Sequence, residues 1–384
     1  MSTAAAAPGS DTGWVWHEAY GWHDTGNAAG YVTAVPGAQP FTHFESPESK
    51  TRFASLIAVS GLEDQLMRLR PGPATDTDLQ RVHTAAHVAE MRRQSDDKRG
   101  GDMGDGTSPF AWGGFDIAAL AAGGTIAAMQ AVLSGQVRNA YALVRPPGHH
   151  AVAEQGMGFC MFNNVAVAIE HARAHFGVGK VAVIDWDVHH GNGTEALYAR
   201  DQQTLTVSVH QDRNFPIGSG LVRDRGDGPG LGSVINIPLP PGSGNGAYMH
   251  AFEEVIEPSV RRFQPELIVV SSGFDGSAAD PLSTMMVTSS TYRTYTERLV
   301  RLADELCSGR LVMSHEGGYS PVYVPFCGLA TVEALSGLDS SLPDPFEADW
   351  LAWAGQDLQP HQRDAIAEAR ASAISGLDRL DSQH

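Results

Sequence analysis

Four short apolar runs, each ending in polar, glycine-rich chemistry, constrain the fold of this chain more than any other feature. Ala140-Tyr141-Ala142-Leu143-Val144 leads into Arg145-Pro146-Pro147-Gly148-His149-His150. Val181-Ala182-Val183-Ile184 leads into Asp185-Trp186-Asp187-Val188-His189-His190-Gly191-Asn192-Gly193. Leu267 to Ser272 runs into Gly273-Phe274-Asp275, and Leu311 to Ser314 runs towards Glu316-Gly317-Gly318-Tyr319. Continuous apolar runs of this length read as buried strands. Ligands of open α/β sheets bind outside the carboxyl ends of the strands, so the pattern predicts an enzyme of that architecture.

The second run is the most specific. Alternate side chains of extended backbone point the same way, which would bring Asp185, Asp187 and His189 to one side. Two carboxylates and an imidazole suit a hard or borderline metal ion. A bland structural role fits poorly, because burying a charge without a partner is costly.

At 384 residues the chain could hold two domains. Strand-like and helix-like segments nevertheless alternate without a linker from about residue 112 to residue 337, as one α/β layer structure requires. A single catalytic domain over 11–384 is expected, preceded by a flexible alanine-rich tail over 1–10 without secretory character. No run of about 18 apolar residues argues for a membrane span. Ile117 to Leu133, with Gly123 and Gly124 inside it, reads instead as a tightly packed interior helix. The three cysteines, Cys160, Cys307 and Cys327, suggest no disulfide framework, and a reducing cytoplasm is the expected location. Cys160 lies near the histidine pair, but a small buried thiol is its commoner role. A net charge of −18 opposes nucleic-acid binding and favours the approach of cationic substrates.

Taken together, RPPGHH at 145–150, GFCMFNN at 158–164, DWDVHHGNG at 185–193, SGFD at 272–275 and EGGY at 316–319 resemble the histone deacetylase superfamily. The likeness is to its bacterial class II histone deacetylase-like amidohydrolases, and it extends from Tyr20-Gly21-Trp22 to Leu342-Pro343-Asp344-Pro345. It implies a single open three-layer α/β domain of the arginase/deacetylase kind, with a mostly parallel sheet flanked by helices. It also implies a zinc ion on Asp187, His189 and Asp275, with one position open to water and substrate. His150 would be general base and acid, and His149 a second hydrogen-bonding or positive group; Asp185 and Asn192 would face His149 and His150 respectively. Tyr319 would donate to the substrate oxyanion. Gly158, Phe159, Phe215 and Gly317 would shape the acyl-lysine slot, and Asp105, or alternatively Asp102, would grip substrate at the rim. Potassium would sit on Asp185, Ser208 and backbone oxygens of Asp187, His189 and Val209, and a second potassium on Tyr198, Asp201 and Thr204, mostly through their carbonyls.

The activity expected is zinc-dependent removal of acetyl or other acyl groups from lysine side chains of a peptide or protein, by metal-activated water. An acetylpolyamine amidohydrolase is the alternative. An arginase-like ureohydrolase would need bridging carboxylates for two metals, and a non-catalytic acyl-lysine binding protein would be expected to have lost a ligand or the tyrosine. Two histidine pairs at helical spacing, His83/His87 and His171/His175, could also bind metal, but no carboxylate or cysteine partner is evident for either, so surface positions are the expectation. Trp350 and Trp353 are candidates for a homo-oligomer contact, with internal packing equally open.

Overall fold

The computed structural model describes residues 11–33 and 35–382, so the expected tail over 1–10 lies outside the described residues. Eight strands form one sheet: β1 (Thr12–Val15), β2 (Met67–Leu69), β3 (Asn139–Ala142), β4 (Val181–Asp185), β5 (Thr204–Gln211), β6 (Val234–Leu239), β7 (Leu267–Ser272) and β8 (Leu311–His315). Their spatial order is β6-β5-β4-β7-β8-β3-β1-β2. Every neighbouring pair is parallel. All carboxyl ends therefore lie along one rim.

The strands are apolar on both faces because both faces are covered. On one side Trp14, Tyr141, Ile184, Val270 and Met313 join a core with α1 (Glu48–Val59), α4 (Ser289–Cys307), α5 (Val324–Ser336) and α6 (Pro360–Asp381). Residues one step along the same strands, such as Val15, Ala140, Val183 and Val269, join a second core with α2 (Gly114–Leu133) and α3 (Asn164–Phe176). In α6 the buried Ile366, Ala369, Ala373, Leu377 and Leu380 recur every three or four residues, the stripe of a helix laid on a sheet.

Helix α2 is long and apolar enough to cross a membrane by length and composition, yet most of it is buried inside the fold. Its glycines explain how closely it packs. A Cβ at Gly123 would stand 1.8 Å from the Gly72 carbonyl oxygen, and one at Gly124 2.7 Å from Val144.

Candidate active site

The extended run after β4 alternates as its sequence requires. Trp186 and Val188 enter the core on one side, while Asp185, Asp187 and His189 turn to the other. Asp275, three residues past β7, joins them. His189 Nδ1 lies 3.0 Å from Asp275 Oδ2 and 3.2 Å from Asp187 Oδ1. One ligand atom from each of the three residues falls within 4.8 Å of the others, and all three side chains are buried.

Backbone from other strand ends holds this set in place. Gly317 N–H donates to Asp187 Oδ2 at 2.8 Å, and Val188 N–H to Asp275 Oδ1 at 2.8 Å. Gly317 allows that approach, since a Cβ there would lie 2.1 Å from Asp275 Oδ2. One imidazole cannot neutralise two buried carboxylates, and the remaining negative charge would be costly there. From protein charges alone, burial and the neighbouring Asp187 push the Asp275 carboxyl up to about 6. Two carboxylate oxygens and one nitrogen, fixed by their surroundings, fit a divalent cation of borderline hardness.

The turn after β3 brings His149 and His150 alongside, ring centroids 4.0 Å apart. His149 Nδ1 pairs with Asp185 Oδ2 at 2.9 Å, and its Nε2 lies 3.6 Å from Asp187 Oδ1. Burial opposes a charge on this imidazole, but Asp187 and Asp185 outweigh it and hold the pKa at about 10. His150 Nδ1 pairs with Asn192 Oδ1 at 2.7 Å. An amide oxygen only accepts, so Nδ1 carries the proton and Nε2 keeps its lone pair. Burial, with His149 and His189 close by, drives this imidazole well below its ordinary pKa. Burial and the surrounding charges thus push the two neighbours in opposite directions.

Tyr319 closes the site opposite, its ring 6.4 Å from His189 and 5.8 Å from Phe159. Phe215 stands edge-on to His150 at 5.0 Å. Gly158, at φ +54°, separates chain from ring: a Cβ there would meet His150 at 2.3 Å and Phe215 at 2.9 Å. Asp105 reaches this wall, with Oδ2 accepting from Gly158 N–H at 2.7 Å and from Ser108 Oγ at 3.0 Å. Asp102 instead organises its own loop, accepting from the N–H groups of Gly104, Gly106 and Ser108. Of the two aspartates, Asp105 is the one in contact with Gly158.

Asp185 and Ser208 are register partners on β4 and β5, and both line a small cavity shared with His190, Glu195 and Asn236. Ser208 Oγ also pairs with His210 Nδ1 at 2.9 Å. Beyond it, the side chains of Tyr198, Asp201 and Thr204 converge on Arg173, which binds Asp201 at 2.9 Å and Thr204 Oγ1 at 2.7 Å and lies over the Tyr198 ring.

Several residues escaped the sequence reading. Glu316 Oε2 accepts from Gly148 and His149 N–H at 2.6 and 3.1 Å, fixing the histidine turn. Asp280 Oδ2 accepts from Tyr319 N–H at 2.8 Å. Lys50 Nζ donates to the Gly318 carbonyl at 3.1 Å and lies over the Tyr319 ring. Lys50 shares its helix stripe with buried Phe53 and Ile57, and a lysine in a core stripe was the signal available. Corrections concern histidines. His83, His87 and His171 are buried rather than on the surface. His83 joins Val152 O to Asn163 N–H, and His87 bonds the Met161 carbonyl. Cys160 is buried with its thiol pushed well up by burial, which suits a packing role. Trp350 packs internally against Tyr323.

Residues 43–335 match the family model described as Histone deacetylase domain. A histone deacetylase-like amidohydrolase of Pseudomonas aeruginosa is 49% identical over 327 residues, spanning 84% of this chain and 86% of the relative. A probable deacetylase of Archaeoglobus fulgidus is 37% identical over 333 residues, spanning 86% and 88%. The crystal structure of the HDA15 HD domain is similar at a TM-score of 0.84 and 28% identity, covering 98% of this chain and 97% of that one.

Proposed function

The chain belongs to the histone deacetylase family, and from that premise we propose that it is a zinc-dependent amidohydrolase releasing acetyl groups from lysine side chains. The observation that carries this reading is the convergence of Asp187, His189 and Asp275 beside the neutral His150 and opposite Tyr319. Zinc bound there would polarise the acyl carbonyl and lower the pKa of water to about 7.

The protein supplies the rest. His150 Nε2, its tautomer set by Asn192, takes the proton from the attacking water and returns it to the departing lysine nitrogen. His149, held by Asp185, stands beside the reacting centre as a second hydrogen-bonding group. Burial pushes the Tyr319 phenol well above its ordinary pKa, so it remains a hydrogen-bond donor for the developing oxyanion. Phe159 and Phe215 cover the methylene stem. The products are the free amine and acetate. A potassium ion at Asp185 and Ser208 would offset buried carboxylate charge next to His149.

An acetylated polyamine is the second reading, favoured by a groove beside the mouth lined by Asp24, Tyr31, His43 and Asp102. The test is kcat/KM of the zinc-loaded enzyme on an acetyl-lysine peptide and on acetylputrescine, with Tyr319→Phe as the blank. Preference for the peptide supports the lysine reading. Preference for acetylputrescine replaces it, and equal silence on both refutes both. Chelation should abolish activity and zinc restore it; activity that survives complete metal removal would refute the zinc dependence.

A further inference from the structure

We propose that Asp78, His171 and His175 form a second cation site, for a borderline divalent ion such as Zn2+, Co2+ or Ni2+. These residues lie in the outer helical layer, apart from Asp187, His189 and Asp275. His171 and His175 stand one turn apart on α3, a spacing that puts side chains on one face. Their rings lie side by side with centroids 4.3 Å apart. A histidine pair alone is weak evidence. The fold adds what the sequence lacked, a carboxylate, from the short helix Asp76–Leu79: Asp78 Oδ1 is 2.9 Å from His171 Nδ1. One ligand atom from each of the three residues lies within 4.8 Å of the others.

The surroundings are built as a ligand shell requires. Asp78 is anchored, because its Oδ2 accepts from Thr75 N–H at 3.1 Å and pairs with Thr75 Oγ1 at 2.5 Å, leaving Oδ1 for His171 or a metal. Behind His171, the Gln130 amide of α2 touches Nε2 at 2.9 Å. Metal-bound histidines usually direct their other ring nitrogen to such a partner, which fixes tautomer and orientation. With the Gln130 nitrogen donating, His171 keeps its proton on Nδ1. Turning the amide places its oxygen at Nε2 instead; the proton then moves to Nε2, and Nδ1 is free to bind metal without net loss of a proton. Asp78 and His171 are buried while His175 is exposed, so an ion would enter from solvent and keep a water ligand. Two nitrogens, one oxygen and water make a four-coordinate site typical of zinc. The bland alternative is an Asp78–His171–Gln130 hydrogen-bond chain with His175 merely solvated.

Binding here would tie residues 78 and 171, distant in sequence, and so brace α3 against the segment before it. The experiment uses full-length enzyme with its catalytic zinc in place, dialysed against Co2+, with total zinc plus cobalt counted per chain. Wild type is expected to hold two metal ions and His175→Ala one, with the ligand-field absorption of four-coordinate cobalt lost in the variant. The variant removes an exposed side chain, so folding and kcat/KM on the acetylated substrate should be unchanged. Cobalt at about 100 times its Kd should raise the wild-type Tm by about 2–4 °C and leave His175→Ala unmoved. Gln130→Ala should weaken binding about 10- to 100-fold. Equal metal content in wild type and His175→Ala, or only one ion in wild type, would overturn the site.

Discussion

Asn192 gives His150 a neutral partner where a carboxylate would give a charged one, and the pH profile should report the difference. Burial and His149 hold His150 well below its usual pKa. A base must be unprotonated to act, so activity falls as pH drops through that value. Asn192→Asp adds negative charge at Nδ1 and should move the acid limb of kcat/KM to higher pH by about 1–3 pH units. An unmoved limb would remove His150 from the role. Tyr319→Phe deletes one donor to the oxyanion and should lower kcat about 100- to 1,000-fold. Substrate KM should change little, and a loss confined to KM would contradict the assignment. Much of this chemistry was legible because its residues follow strands within motifs of a few positions. Glu316, Asp280 and Lys50 were not, since each acts by accepting from or donating to backbone remote in sequence.

Between elements, a buried charge cluster joins the start of α1 to the loop after β3. Arg145 Nε donates to Glu45 Oε1 at 2.8 Å, and Lys50 Nζ lies 3.5 Å from the same oxygen. Arg145 also donates to the carbonyls of Tyr20, His23 and Glu45. Burial opposes ionisation of Glu45, but Arg145 and Lys50 reverse it and leave its pKa below the ordinary value. Its contribution to stability is therefore full above the unfolded value near 4.5 and is lost as pH falls through the folded one. Glu45→Gln should cost about 3–5 kcal/mol at neutral pH, read as a lower urea midpoint at constant slope. A midpoint unchanged from wild type would show that the cluster is not held by this carboxylate. The four apolar runs of the sequence mark the four central strands and none of the four that flank them. A three-residue strand such as Met67–Leu69 is too short to display a period, and only pairing with its neighbour defines it.

Across the whole molecule, acid should act through buried histidines that the sequence could not distinguish from surface ones. His83 is a donor to Val152 O and an acceptor from Asn163 N–H, so a second ring proton would meet a donor. Burial lowers its pKa to about 3. The unfolded chain therefore takes up the proton first, and the His83 contribution, complete above the unfolded value of about 6.5, is lost as pH falls towards 3. At pH 5 the loss should be about 2 kcal/mol. Stability measured from pH 7 to 5 should fall less steeply in His83→Gln than in wild type, by up to about one proton; identical slopes would refute this.

The strand order carries a consequence for how the protein is made. β8 is the last strand of the sheet in the chain, yet it lies near the middle, between β7 and β3. Until the ribosome has released it, β3-β1-β2 and β6-β5-β4-β7 have no seam joining them. Arrival of β8 stitches the halves and delivers Glu316 to the histidine turn and Tyr319 to the slot. A nascent chain halted at residue 310 would carry every proposed zinc ligand and still lack its oxyanion donor, so catalytic competence comes late in synthesis.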